Sequence, residues 1–237
     1  LGDVYKRQIM EYAPIGVFAL LAGLIVDLAG DDPNNIITTL KPLLFYAVTV
    51  LIGLSFMVFI FYPIIMYSFT GISFKKFLKA IFPAQMLAFS TSSSAATLPL
   101  TMKRVEKNLN VSDEVTSFVC PLGATINMDG TSVHQAISAV FIAQAFGQDL
   151  TIADQLVIVL TATLSSIGAA AVPGAGLIML VIVLGAIGID PQGLALIIAI
   201  DRPLDMCRTI VNVTGDATVA SVVASTEGEK IKFIEDE

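Results

Sequence analysis

In a chain of 237 residues, 55% hydrophobic and only 14% charged, the mean hydropathy of +0.83 leaves too little polar surface to clothe a soluble globule. The formal net charge is −7, but the acids and bases sit mainly in short connections, where they report orientation, so no nucleic-acid partner is expected. Cys120 and Cys207 both lie inside apolar stretches and support neither a disulfide framework nor a thiolate metal cluster.

Leu1–Gln8 is polar and has no apolar run of the kind a signal peptide requires. It is expected to be a junction or linker foreign to the protein, on a chain that is itself a fragment. Apolar stretches follow at roughly 10–29, 42–69, 80–102, 115–145, 152–189 and 192–225, each matching or exceeding the ~20 residues of a spanning helix. Ten of the thirteen Lys and Arg residues fall in four clusters: Lys6 and Arg7; Lys75, Lys76 and Lys79; Lys103, Arg104 and Lys107; Lys230 and Lys232. Such clusters mark the cytoplasmic side.

The stretch at 80–102 is long enough to cross, yet basic clusters flank both ends, so it should enter and leave by one side. Its middle, Phe89 to Pro99, is rich in small polar residues and ends in Pro, which suits a helix break at mid-membrane depth. Thr151 to Ile189 behaves likewise from the opposite face. Its flanks carry acids and no Lys or Arg, and its centre, Ser165 to Gly176, cannot hold a regular helix. Broken backbone at that depth survives only against protein or a water-filled cavity, so two opposed hairpins imply a cavity between them. A spanning helix kinked at Pro is the alternative for each segment, at odds with the placement of positive charge. The expected fold is therefore an all-α membrane protein. It has helical crossings at about 10–29, 42–69, 113–146 and 192–225 plus two opposed re-entrant helical hairpins, with the C-terminus inside and the Asp31–Asn35 loop outside. Each half is a broken hairpin followed by a polar crossing, the layout of an inverted repeat.

In the last crossing, Asp201, Asp205, Arg208, Asn212 and Asp216 are spaced by 4, 3, 4 and 4 residues, which holds them within roughly 80° of arc on one helix face. Ionised groups at a helix centre cost on the order of 2.5–3.5 kcal/mol each, so the row must meet water, ligand or partners rather than lipid. A structural ion-pair network is the alternative, and it fits less well because acids outnumber the single Arg208 on the stripe. Arg202, just off the stripe, is placed to pair with Asp201 or to face the first hairpin. One crossing earlier, Gly123 to Thr131 brings Asn127, Asp129 and Gly130 together, which disfavours a continuous helix. An unwound turn there exposes carbonyls. With Asn and carboxylate oxygens these suit a hard monovalent cation, sodium being the economical choice, and the lack of clustered His and Cys argues against zinc or copper. A plain kink is the alternative. His134, the single histidine, is expected to be a hydrogen-bonded packing residue, with a proton relay as the alternative.

Four ordered motifs, Ser92-Ser93-Ser94 with Thr97-Leu98-Pro99, Asn127-Met128-Asp129-Gly130-Thr131, Val172-Pro173-Gly174-Ala175-Gly176, and Asp205-Met206-Cys207-Arg208-Thr209 through Asp216, resemble those of the dicarboxylate/amino acid:cation symporters. The excitatory glutamate transporters belong to that family. The resemblance runs from about Ile9 to Glu227. It implies a scaffold-type helix and external loop at 9–40, then a glutamate-transporter-like transport domain at 41–227, with a cytoplasmic tail at 228–237 and the N-terminal crossings missing. Within that domain it implies a crossing at 42–69, a first re-entrant hairpin at 75–107, a broken crossing at 113–146, a second re-entrant hairpin at 151–189 and a polar crossing at 192–225. It also implies a homotrimer working by an elevator motion.

Carried onto this sequence, the resemblance makes Ser92, Ser93 and Ser94, with Val172 and Gly176, the two gates around a substrate, and lines the pocket with Thr131, Asp205, Arg208, Thr209 and Asn212. Asp205 suits a substrate ammonium, and Arg208 offers the bidentate fork that fits a side-chain carboxylate. One sodium is implied on Gly123, Asn127, Asn212 and Asp216, and another on Thr125, Ser166, Ile167 and Ala169, mainly through backbone oxygens. Asn127 and Asp129 resemble part of a third site, which a missing crossing would complete. Ala169 stands where some relatives carry threonine. Arg202 resembles relatives whose serine tip lacks an arginine, as Ser92 does here. The expected function is sodium-coupled symport of aspartate or glutamate by a multi-pass protein of the plasma or inner membrane, surrounded by lipid and without an organic cofactor. Proton coupling or a C4-dicarboxylate substrate is the near alternative, and an intramembrane aspartyl hydrolase or an ion channel the distant one.

Overall fold

A computed structural model describes residues 34–235, so the expected crossing at 10–29 and the Leu1–Gln8 junction lie outside the described residues. Every regular element among the described residues is helical. The first, α1 (Asn34–Phe56), passes through a single π turn (Met57–Phe61) into α2 (Tyr62–Thr70), which stops at Gly71 with φ 70°. From Leu40 to Thr70 this is the one stretch among the described residues that is long and apolar enough to cross a bilayer as a single helix, 31 residues with an 18-residue window of mean hydropathy 2.5.

Next come α3 (Phe74–Thr91) and α4 (Ser94–Leu109), separated by two serines. Ser92 adopts φ 51°, the left-handed conformation that ends a helical ladder. Ser93 then caps α4, its hydroxyl accepting from the Ala96 amide at 3.1 Å. Arg104 Nε donates to the Ala80 carbonyl at 2.7 Å, and these residues stand equally far from Ser92 along the chain, so the two arms run antiparallel. The helix break thus falls at Ser92–Ser93, while Pro99, expected to mark it, sits inside the second turn of α4.

A second such pair is α7 (Ile152–Ile167) and α8 (Ala175–Ala186). Thr151 and Asp154 form a reciprocal capping box at the start of α7, and the chain leaves the helix from Gly168 until Gly174, at φ 79°. At ~1.5 Å per residue these arms reach only about 24 and 18 Å, short of a ~30 Å hydrocarbon layer, and they pack along each other. Between the pairs, α5 (Asp113–Ile126) and α6 (Asp129–Ala145) are interrupted at Asn127 and Met128, neither of which has helical dihedrals. After a 3₁₀ turn (Pro191–Leu196), α9 (Ile198–Thr226) packs against α2, α3, α4, α5 and α6.

Burial is inverted relative to a soluble protein. α7 buries Ser165 and Ser166 while exposing Ile152, Leu156, Leu160 and Leu164, and α9 buries Asp201, Asp205, Arg208, Asn212 and Asp216 while exposing Ile198 and Val219. Broad exposure of large apolar side chains on helices that bury charge is stable only where the surroundings are themselves apolar. The C-terminal tail is tied to the base of the first helix pair. Lys232 N donates to Leu109 O at 3.1 Å and Ile234 N to Asn108 O at 2.9 Å, and the Glu229 carboxylate accepts from the Ser112 amide and hydroxyl at 2.8 and 2.6 Å.

Small residues let α9 approach its neighbours. A methyl at Gly130 would stand 2.4 Å from the Arg208 carbonyl oxygen, a backbone atom that cannot step aside. Gly130→Ala is therefore expected to destabilise the full-length protein by about 1–3 kcal/mol, read as a lowered thermal midpoint in detergent. Gly185→Ala, where no atom lies within 4 Å of the added methyl, should leave the midpoint unchanged or raise it.

Candidate functional site

The breaks of the two helix pairs meet. Ser93 Oγ donates to the Ala171 carbonyl at 2.7 Å, and the Ala95 amide, one of the unpaired donors at the start of α4, points to the same oxygen at 3.4 Å. Behind this contact lies a cavity of about 20 Å³, lined by Ser92, Ser94, Met128, Thr131, Ala170, Ala171, Val172, Gly176, Asp205, Arg208, Thr209 and Asn212. That volume holds one water molecule and little more. The Ser92 hydroxyl lines it, buried and without a hydrogen-bond partner, which leaves a donor and acceptor for a ligand. All ten residues assigned to the substrate by resemblance lie at or beside this cavity, but in different ways. The Val172 side chain is 53% exposed, so the second tip meets the first through the Ala171 carbonyl rather than through that valine.

Arg208, 1% exposed, occupies the wall of the cavity, hydrogen-bonded through Nε and one terminal nitrogen while the other terminal nitrogen has an ion-pair contact but no hydrogen-bond partner. Its Nε donates to Asp205 Oδ1 at 3.0 Å and a terminal nitrogen lies 2.9 Å from the same oxygen. The other terminal nitrogen is 3.3 Å from Asp201 Oδ1 and 2.8 Å from His134 Nδ1. Asp205 Oδ2 accepts from the Gly174 amide at 2.9 Å and faces Arg202 at 3.6 Å. The ion-pair network that charge counting disfavours on this stripe is thus present in its first half, because Arg202 joins it from just off the stripe and His134 from α6. Thr209 turns its hydroxyl back to the Asp205 carbonyl at 2.8 Å.

The second half of the stripe faces the α5–α6 break. Asn127 Nδ2 donates to Asp216 Oδ1 at 3.1 Å, and Gly123 leaves the room that carboxylate fills, since a methyl there would stand 2.5 Å from Asp216 Oδ1. Asn212, one turn along, accepts from the Gly130 amide at 2.9 Å and donates to Thr131 Oγ1 at 3.4 Å. Gly123, Asn127 and Asp216 are therefore gathered at one point, with Asn212 bridging from it to the cavity. Asp129 accepts from the Tyr62 hydroxyl at 2.6 Å.

The second implied cation set is not gathered in this way. Thr125 turns its hydroxyl to Leu122 O at 2.8 Å on its own helix, the Ile167 side chain is exposed, and Ser166 accepts from Ser132 at 2.6 Å. Within this set, Ser166 and Ala169 are joined through the Ala169 amide on the Ser166 carbonyl at 3.2 Å.

Tyr46, Tyr62, Ser132, Gln135 and Ser138 complete these networks and were not assigned from sequence. His134, expected to be a hydrogen-bonded packing residue, is buried and hydrogen-bonded and also touches the charged cluster directly. Gln135 donates to Gly176 O at 3.0 Å and accepts from Ser165 at 2.6 Å, fixing the second tip to α6. The available signal was the polar stripe Thr131, His134, Gln135 and Ser138, spaced at helical intervals on one buried face.

Helices that bury charge and expose apolar side chains, with two broken helix pairs meeting at a charged helix, define the class of this molecule as a helical membrane protein. Residues 6–226 match the sodium:dicarboxylate symporter family, and the chain belongs to that family, whose work is transport rather than catalysis. It is 43% identical over 215 residues to an excitatory amino acid transporter of Caenorhabditis elegans, covering 91% of this chain and 42% of the relative. Identity is 45% over 215 residues to excitatory amino acid transporter 1 of Ambystoma tigrinum, covering 91% of this chain and 39% of the relative. To excitatory amino acid transporter 2 of Homo sapiens it is 41% over 216 residues, covering 91% and 37%. The chain spans about two fifths of the length of these relatives.

Ser93→Ala removes both the tip contact and the α4 cap, costing about 1–2 kcal/mol of local stability. In a background with Cys120 and Cys207 replaced, a cysteine at the buried position 92 should react slowly with a membrane-impermeant thiol reagent, and adding Ser93→Ala should accelerate labelling several-fold.

Proposed function

We propose that the full-length protein is a sodium-coupled symporter of an acidic amino acid, aspartate or glutamate. The observation that carries this reading is the buried Asp205–Arg208 pair on one face of α9, set at a cavity closed by two broken-helix tips. Arg208 supplies a planar fork for the substrate side-chain carboxylate, Asp205 accepts from its ammonium, and the Ser92 to Ser94 backbone and hydroxyls take the remaining carboxylate. A cavity sized for one water must enlarge to admit an amino acid. The tip from Gly168 to Gly174 is the part to lift, since it is held across the cavity by few hydrogen bonds, one at Gly174 and two at Ala171.

Sodium is the cation the family's name supplies for an uncompensated charge. Asp129 and Asp216 meet hydroxyl and amide groups and, among the described residues, no cationic side chain, and carboxylates at membrane depth require compensation. Gly123, Asn127, Asn212 and Asp216 form one site, Asn127 and Asp129 part of another, and Thr125, Ser166, Ile167 and Ala169 converge on a third when the second tip repositions.

In this reading 75–107 and 151–189 are re-entrant hairpins acting as gates. Residues 41–227 move as a transport domain past a scaffold that includes 9–40, in a homotrimer of the plasma or inner membrane, with the 228–237 tail cytoplasmic. A C4-dicarboxylate substrate, favoured by the family's name, would leave Asp205 without an ammonium. A hydrolase is disfavoured because Asp129 and Asp205 are engaged separately, on Tyr62 and Arg208. A channel is disfavoured by the closed tips.

In proteoliposomes of the full-length protein, an imposed sodium gradient should drive accumulation of labelled L-aspartate. Accumulation under a proton gradient alone would overturn the sodium assignment, and uptake of succinate in preference to aspartate would overturn the substrate. Arg208→Cys should abolish acidic substrate binding while sparing some binding of neutral amino acids. Gly123→Ala, which crowds Asp216, should raise the sodium concentration for half-maximal uptake roughly tenfold or more, on the scale of about 1.4 kcal/mol per decade.

A further inference from the structure

His134 is wholly buried, and its two ring nitrogens are committed differently. Nδ1 lies 2.8 Å from an Arg208 terminal nitrogen. Nε2 lies 3.0 Å from the Tyr46 hydroxyl and 3.4 Å from Asp201 Oδ1. A guanidinium has donors only, so Nδ1 must accept and carries no proton. The ring proton therefore sits on Nε2, toward Tyr46 and Asp201, and the imidazole is neutral. A proton on Nδ1 would set donor against donor and cation against cation at that separation. Contact with Arg208 and protonation of His134 exclude each other.

The nitrogen of Arg208 that faces His134 belongs to the fork an acidic substrate needs, so substrate and imidazole compete for it. Once Arg208 turns to a substrate carboxylate, Nδ1 loses its partner and is open to a proton, while the Asp201 carboxylate stays 3.4 Å from Nε2 to balance the added charge. The titratable or charged groups around the ring are Tyr46 from α1 and Asp201 and Arg208 from α9, with Asp205 behind Arg208. α8 and the 3₁₀ turn contain no titratable side chain, and α7 contributes only Asp154, engaged by Thr151 at its exposed start.

We propose that His134 is a proton-binding site coupled to substrate: capture of an acidic substrate's carboxylate by Arg208 is matched by uptake of one proton on His134 Nδ1. The proton comes from bulk water while the second tip is open, an N–H bond forms on the ring, and the charge on Arg208 is unchanged. Protonation and acidic substrate thus favour the same displaced position of Arg208, and each strengthens the other. This rests on the reading of Arg208 as the carboxylate ligand.

The test is calorimetric titration of full-length wild type, in saturating sodium, with L-aspartate in buffers of different ionisation enthalpy. About one proton should be taken up per aspartate, and across the pH range of that uptake affinity should weaken about tenfold per pH unit, levelling off at higher pH where uptake ceases. His134→Gln, or His134→Phe if the former does not fold, should bind aspartate without proton uptake and with flat pH dependence. Sodium-dependent aspartate binding by wild type with no proton uptake between about pH 5.5 and 8.5 overturns the coupling while leaving the proposed function standing. Proton uptake that persists in the histidine variants overturns the assignment to His134. Absence of aspartate binding to a folded wild type overturns the reading of Arg208, and the coupling with it.

Discussion

An arginine buried among membrane helices needs protein partners for its charge, and Arg208 finds them in Asp205, Asp201 and His134, with one terminal nitrogen left to an ion-pair contact alone. The positions of these partners constrain everything around them. Asp201 and Asp205 occupy the same face because they lie seven and three residues before Arg208 on α9. His134 reaches the cluster because Gly130 lets α6 approach α9 to backbone contact. Removing one member would leave uncompensated charge, the costly case for buried ion pairs. The cluster is also poised, since its members are held by one another and an external carboxylate offers Arg208 equivalent partners.

The second helix pair is built to respond to that exchange. Its break carries the Gly174 amide onto Asp205 and the Ala171 carbonyl onto Ser93, while Gln135 holds Gly176 from α6. Few bonds at a glycine-rich tip mean a low cost of local opening, on the order of 1–3 kcal/mol for each bond to a charged group. The arms on either side are apolar and packed along each other, so opening is confined to the tip. The first pair is stiffer. Arg104 closes its base onto Ala80, and the C-terminal tail binds across Asn108 and Leu109.

The helical breaks were readable because each is written in residue types that disfavour helix, namely serines at the first tip, glycines at the second, and Asn127 with Gly130 between α5 and α6. Pro99 misled because a left-handed Ser92 had already ended the preceding helix, and α4 runs on through Pro99 in its second turn with one backbone bond missing. The charged stripe of α9 was readable from spacing alone. Its pairing was not, since counting charges along one helix omits His134 and gives no distance for Arg202. The π turn at Met57–Phe61 was invisible for a related reason. One extra residue in a uniformly apolar run leaves no compositional mark, yet it lies immediately before the buried Tyr62, which reaches Asp129.

The two-residue gap between α5 and α6 is where cation and substrate would affect one another in the proposed carrier. Asn127 turns to Asp216, whereas Met128, the next residue, lines the cavity. A cation drawn between Asn127 and Asp216 would compete with the amide bond that joins them, and any rotation at Asn127 is passed to Met128 through one peptide unit whose flanking dihedrals are non-helical. Asn212 adds a second path, since it holds the Gly130 amide and Thr131 while standing one turn from Asp216. Both routes are short and lie in protein rather than lipid, so a difference of 1–3 kcal/mol between two arrangements of this gap would couple the sites about 5- to 150-fold. Unwound backbone here is thus more than tolerated: a continuous helix would satisfy its own carbonyls and leave no shared element for the two ligands to bias.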